Sequence, residues 1–108
     1  MGRVRVEKRP QVLQDLSDIT AYLVAESGSA GTAYRFLTAA EASFQALAKM
    51  PLIGVAREYS NPDLAGIRMW LVEGFENYLI FYRTTLAGIE VLRILHSRRD
   101  VESILGDG

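Results

Sequence analysis

The residues best equipped for chemistry crowd one end of the sequence. His96, the single imidazole, is followed by Arg98 and Arg99, with Arg83 and Arg93 shortly before it and Arg68 further upstream. An imidazole accepts and donates protons near neutral pH, and a guanidinium grips phosphate or carboxylate in a fixed, two-pronged geometry. Such residues are suited either to acid–base work on a phosphodiester or to adhesion to an acidic partner surface. The chain has no cysteine, which removes thiol nucleophiles, disulfide scaffolds and cysteine-held zinc. A histidine-based metal site would need carboxylates as its other ligands, and none cluster around His96 in the sequence. Neither a metal site nor a cofactor is therefore expected.

Each of these residues also has a plainer role. His96 closes an apolar run, where its ring can bond nearby backbone and fix the turn into Ser97 and Arg98. Arg68 can pair with Glu58 or Asp63 in the loop before it. Arg83 and Glu90 flank a short hairpin and can face each other across it, a pairing that contributes about 0.2–1 kcal/mol. Arg98 and Arg99 precede Asp100 and Glu102, and acids of this kind favour a helix N-terminus. Trp70 lies on an apolar strand, where partial burial is expected and an interface role is the alternative.

The elements that must position them follow from hydrophobic periodicity. Val4 and Val6 alternate with Arg3, Arg5 and Glu7, as on a half-buried strand. From Pro10, the spacing of Val12, Leu16, Ile19 and Leu23 predicts a helix, with Asp15 and Asp18 on its opposite side, ending at Ser27-Gly28. A second helix begins near Ser29, a suitable N-cap, carries Ala33, Phe36, Leu37, Ala40, Phe44 and Leu47 on one face, and stops before Pro51. The short link implies an antiparallel helix hairpin. After a loop containing Gly54 and Asn61-Pro62-Asp63, the period changes to that of strands: Ile67 to Val72, Tyr78 to Thr84 and Ile89 to Leu95. Glu73 to Asn77 and Leu86 to Gly88 read as turns, which makes an antiparallel meander. Arg99 to Leu105 forms a short terminal helix. The fold class is α+β, with the helices packed on one sheet face, and residues 1–108 read as one domain.

In the last strand, strict alternation puts Ile89, Val91, Arg93 and Leu95 on one side and Glu90, Leu92, Ile94 and His96 on the other. Both sheet faces come out apolar. The terminal helix is too short to cover the second alone, so an incompletely covered face with basic margins is expected, the signature of a protein-binding groove. Of 108 residues 49% are apolar and 23% charged, as in globular domains. The 12 basic and 13 acidic residues nearly cancel, yet the bases concentrate at Arg3–Arg9 and Arg83–Arg99, so a basic surface survives neutrality. Alternating charges on the first strand serve by default to block edge-to-edge pairing and not to bind nucleic acid. No run approaches the ~20 apolar residues of a membrane span and the N-terminus lacks a signal-peptide core. A reducing cytoplasm is the expected location.

Gly66-Ile67-Arg68, the run Tyr78 to Arg83, and Gly88 through Asp100 resemble the ParE branch of the RelE/ParE toxin superfamily. Asp15-Leu16, Ile19 and Tyr22 in the first helix and the Pro51/Gly54 pair fit the same pattern, so the resemblance spans nearly the whole chain. It implies a toxin of a type II toxin–antitoxin module, neutralised by a ParD-like antitoxin whose C-terminal segment wraps it. ParE members act on DNA gyrase, whereas RelE members cleave mRNA on the ribosome. The nuclease branch typically has an arginine early in the third strand, at Leu79 here, and a tyrosine close to the C-terminus, whereas the last tyrosine is Tyr82. The resemblance therefore favours a non-enzymatic gyrase inhibitor with no catalytic residues and no direct nucleic-acid specificity. Its target contacts would be Arg68, His96, Arg98 and Arg99. The alternatives are an endoribonuclease using His96, Arg98 and Arg83, or an inactive relative that only binds its antitoxin.

Overall fold

The computed structural model describes residues 4–107; Arg3, counted in the N-terminal basic group, lies outside them. The chain opens on an edge strand, β1 (Arg5–Lys8), and turns at once into helix α1 (Pro10–Ser27). Pro10 sits in the first helical turn, where its missing N–H leaves no bond unmade. Gly28 ends the helix in the left-handed region, at φ 68°, and its N–H returns to the Val24 carbonyl. Helix α2 (Ala30–Lys49) follows, with the Ser29 hydroxyl accepting the Gly31 N–H at 3.2 Å as an N-cap should. The link between the helices is only two residues long, so they fold back antiparallel.

The remaining strands are β2 (Val55–Ala56), β3 (Arg68–Val72), β4 (Phe75–Thr84) and β5 (Gly88–His96), with a 3-10 turn at Pro62–Leu64 and a terminal helix α3 (Val101–Asp107). They form one five-stranded sheet in the order β1-β5-β4-β3-β2. The expected antiparallel meander is its core, β3–β4–β5. Two strands extend it: β1 runs parallel beside β5, and the two-residue β2, too short to show a period, pairs with β3. β4 starts at Phe75 and not Tyr78, because Glu73 and Gly74 suffice for the turn once Gly74 adopts φ 86°.

Strict alternation fails in β5. Phe81 pairs with Arg93 while the next residue, Tyr82, pairs with Val91, so Leu92 is an extra residue in a β-bulge. The bulge re-phases the strand. Ile89, Val91 and Ile94 enter the core under the helices, and Leu92 and Leu95 enter the opposite one. Under the helices, Phe36, Phe44 and Leu47 of α2 and Val12 of α1 meet Ile80, Tyr82 and Val91, all fully buried. Each such apolar side chain contributes roughly 1.5–3 kcal/mol. Tyr82 keeps its hydroxyl satisfied by donating to the Pro51 carbonyl at 2.7 Å and accepting the Gly54 N–H at 3.0 Å. A Cβ at residue 54 would lie 2.2 Å from that hydroxyl, so the approach requires glycine.

The second sheet face is better covered than its sequence suggests. Leu64 of the 3-10 turn, Ile67 and Leu105 of α3 close over Phe81, Leu92 and Leu95. The 57–66 loop supplies the cover that α3 alone could not, and Glu102 ties the two together by accepting the Ser60 N–H at 2.9 Å and its hydroxyl at 2.6 Å. Exposed apolar side chains lie elsewhere, on Leu13 and Tyr22 of α1, Tyr34 and Leu37 of α2, and Met50 to Val55 of the following loop.

Asp15 corrects the expectation that it faces outward. It is 6% exposed. Its two oxygens accept both prongs of Arg93 at 2.8 Å, the Ile94 backbone N–H at 3.0 Å and the Gln11 amide at 3.4 Å. Asp18, by contrast, is exposed and bonded to Gln14. Removing one partner of a buried, bonded ion pair costs about 3–5 kcal/mol, whereas an exposed pair is worth about 0–1 kcal/mol. Asp15→Ala is therefore expected to lower the urea unfolding free energy by about 3 kcal/mol and Glu41→Ala, which breaks the surface pair with Lys8, by less than about 1 kcal/mol; equal losses would contradict this.

The Ser60 hydroxyl, and more weakly the neighbouring backbone N–H groups, hold the Glu102 carboxyl below its ordinary value of 4.5. A carboxyl depressed in the folded state stabilises the α3 clasp fully above the unfolded value, and that contribution fades as pH falls through the folded one. Ser60→Ala should move the Glu102 titration, followed by its carboxyl carbon resonance, up towards 4.5.

Candidate partner-binding groove

At the far end of β5 the outer edge of the sheet changes character. β1 pairs with β5 only from Gly88 to Val91, so beyond that point α1 lies where a strand would be. Between α1 and this end of β5 is a groove of about 450 Å³. Asp18, Ile19 and Tyr22 of α1 form one wall; Tyr78 of β4, Leu95, His96, Arg98 and Arg99 form the other, and the Asp15–Arg93 pair closes one end.

Local chemistry fixes the imidazole. Its ring stands edge-to-face on Tyr78 at 5.2 Å; Tyr78 meets Phe36 at 5.3 Å, and Phe36 meets Phe75 at 5.2 Å. Aromatic pairs in this geometry contribute about 0.5–1.5 kcal/mol each. An aromatic file thus runs from the core to the groove and orients the ring. His96 Nδ1 accepts the Arg98 N–H at 3.1 Å, and the His96 carbonyl accepts the Arg99 N–H at 3.0 Å. This is the backbone-fixing role anticipated for the residue. In the neutral ring, Nε2 then carries the proton. The turn presents Arg98 and Arg99 to solvent, and neither guanidinium has a hydrogen bond or ion pair among the described residues.

Two phenols border the groove. Tyr22 is 55% exposed; the Glu26 carboxylate, one turn on, raises its pKa, with Arg98 acting the other way. Burial raises that of Tyr78. Both therefore remain neutral hydrogen-bonding groups at physiological pH.

The other sequence candidates lie apart. Arg68, expected among the target contacts, donates instead to the carbonyls of Gly54 at 2.6 Å and Leu52 at 3.4 Å, with neither Glu58 nor Asp63 as partner. It pins the loop between α2 and β2. Arg83 stands opposite Glu90 in register, but its side chain bonds the carbonyls of Asp63 and Ala65, and Glu90 pairs with Arg9. Arg83 lines a second cavity of about 570 Å³ on the opposite sheet face, between β5 and α3. The set His96, Arg98 and Arg83 is thus divided between two cavities, and Arg93 is the one residue lining both. Trp70 is half-buried against the core under the helices. Among the described residues, no three of the metal-ligating side chains cluster, and no helix is long and apolar enough to cross a membrane.

The residues that sequence reasoning missed here are Asp15 and Arg93. A signal existed: Val12, Asp15 and Ile19 stand at i, i+3 and i+7, the spacing of a single buried face.

Comparison with known proteins agrees with this architecture. The profile of a family described as ParE toxin of type II toxin-antitoxin system, parDE, matches residues 6–101. No functionally curated protein matches the sequence. Among solved structures, the chromosomal ParDE toxin–antitoxin system from P. aeruginosa contains a similar chain, with a TM-score of 0.68 and 19% identity, covering 86% of this chain and 95% of that one. At such identity the likeness is one of fold.

The imidazole's structural role is open to test. His96→Ala should speed amide hydrogen exchange at Arg98 and Arg99 while lowering global stability by no more than about 1–2 kcal/mol. Unchanged exchange at those two amides would show that the turn holds itself.

Proposed function

The chain belongs to the ParE toxins of type II toxin–antitoxin systems, and from that membership we propose that it inhibits DNA gyrase by stoichiometric binding. In this reading the corner formed by His96, Arg98 and Arg99 contacts the target, and no bond in the target is broken by this chain's own residues. The observation that carries it is the turn after β5: two guanidiniums, without a partner among the described residues, held out by an imidazole whose Nδ1 is already engaged with backbone. The division of His96, Arg98 and Arg83 between two cavities speaks against their acting together on one phosphodiester. Arg68, occupied with loop carbonyls, plays no part in the contact. A ParD-like antitoxin neutralises the toxin in the cytoplasm, its amphipathic segment covering exposed apolar side chains such as Leu13 and Leu37.

The test is a supercoiling assay with purified toxin and gyrase. The unmodified protein should block supercoiling. The double variant Arg98→Glu, Arg99→Glu should need about tenfold more protein or greater for the same effect, with an unchanged melting temperature. Cleavage of mRNA on translating ribosomes, abolished by His96→Ala, with gyrase unaffected, would overturn the proposal.

A further inference from the structure

We propose that the cavity on the α3 side of the sheet binds a small organic phosphate, a compact doubly charged head carrying a short aliphatic body. The cavity encloses about 570 Å³, within the roughly 300–1,000 Å³ usual for small-molecule sites. None of His96, Arg98 and Arg99 lines it, so the site is independent of the target contact.

Three guanidiniums line it: Arg9 from the turn between β1 and α1, Arg83 from the end of β4 and Arg93 from β5. Each is steadied by bonds that leave part of it free. Arg93 gives Nε and Nη2 to Asp15, and its Nη1 has no acceptor among the described residues. Arg83 gives Nε to the Ala65 carbonyl and Nη2 to that of Asp63, and its Nη1 is likewise free among them. Arg9 bonds Glu90 through Nε alone, at 3.4 Å. The carbonyls fix Arg83 without cancelling its charge, and among the described residues it forms no ion pair. Guanidiniums already held in place, with N–H groups to offer, are suited to gripping an oxyanion.

The rest of the wall selects among anions. A carboxylate offers two oxygens, whereas a phosphate monoester offers three, one for each guanidinium. Leu64, Leu92, Ile104 and Leu105 supply an apolar side, against which each CH₂ withdrawn from water improves affinity roughly fourfold. No aromatic ring is among the described residues that line the cavity, so a nucleobase would find no stacking surface. Asp63 also lines it, and a strand of phosphates would have to pass that carboxylate where a single head would not. The chemistry fits one phosphate on an aliphatic stem and not a nucleic acid.

The experiment follows the amide resonances of the whole chain, isotope-labelled, during titration with butyl phosphate, inorganic phosphate and butyrate. Butyl phosphate should shift residues 63–65, 91–93 and 104–106 and bind about tenfold tighter than either of the other probes. Arg83→Gln and Arg9→Gln should each weaken butyl phosphate and inorganic phosphate alike, by about tenfold. Arg9→Gln breaks only a surface pair and should leave the melting temperature unchanged, so it decides the matter if Arg83→Gln fails to fold. Ile104→Ala should weaken butyl phosphate several-fold and leave inorganic phosphate as it was. Absence of shifts at millimolar butyl phosphate, shifts confined to residues 96–99, equal affinity for inorganic phosphate, tighter binding of butyrate, or an Arg9→Gln variant that binds as before would each overturn the proposal.

Discussion

One buried carboxylate holds the helical half of this protein to the sheet. β1 leaves β5 as soon as the chain turns at Arg9 and Pro10 into α1, and the strand that carries the groove is left with half of one edge unpaired. Asp15 takes the place of the absent neighbour. It accepts the Ile94 N–H that a strand would have taken and clamps the Arg93 side chain that folds around the same edge. Withdrawing a carboxylate from water costs several kcal/mol, and here four donors offset the loss. The geometry is demanding, because the helix must present residue 15 at the level of residue 94. Pro10 and the brevity of the turn fix that level.

The groove's shape follows from the same arrangement. Had β1 been a few residues longer, a strand would occupy the space where α1 stands off from Leu95 and His96. The aromatic file from Phe75 through Phe36 and Tyr78 to His96 then links the packing of the core to the pose of the imidazole at the surface. Arg98 and Arg99 are displayed by a turn whose two N–H groups are both held by His96. In this corner, packing decides orientation and charge decides what can be met.

Much of the architecture was legible in the sequence because its signals are local. Pro10, the Gly28 cap, the Ser29 cap and Pro51 mark helix boundaries through backbone chemistry alone, and the helices fall where those residues put them. The three long strands announced themselves by composition. What stayed hidden depends on partners distant in sequence. β2 is a strand only because β3 is beside it, and Asp15 is buried only because Arg93 arrives 78 residues later. Arg68 looked available because its acceptors are backbone carbonyls, which no side-chain pattern advertises. The His96–Arg98–Arg99 corner was identifiable by residue type, but not Tyr22, which enters it from a helix read only for its apolar stripe.

The bulge at Leu92 has a further consequence. A regular nine-residue strand divides its side chains between two faces in one fixed phase, whereas this one shifts phase midway. Its first half is tuned to the helix pair and its second half supplies both hydrophobic clusters and the groove. Were the strand to run without that shift, the imidazole would fall on the side facing α3 and Leu95 beneath α1. The binding corner and the two hydrophobic layers are thus reconciled within one strand by a single surplus residue.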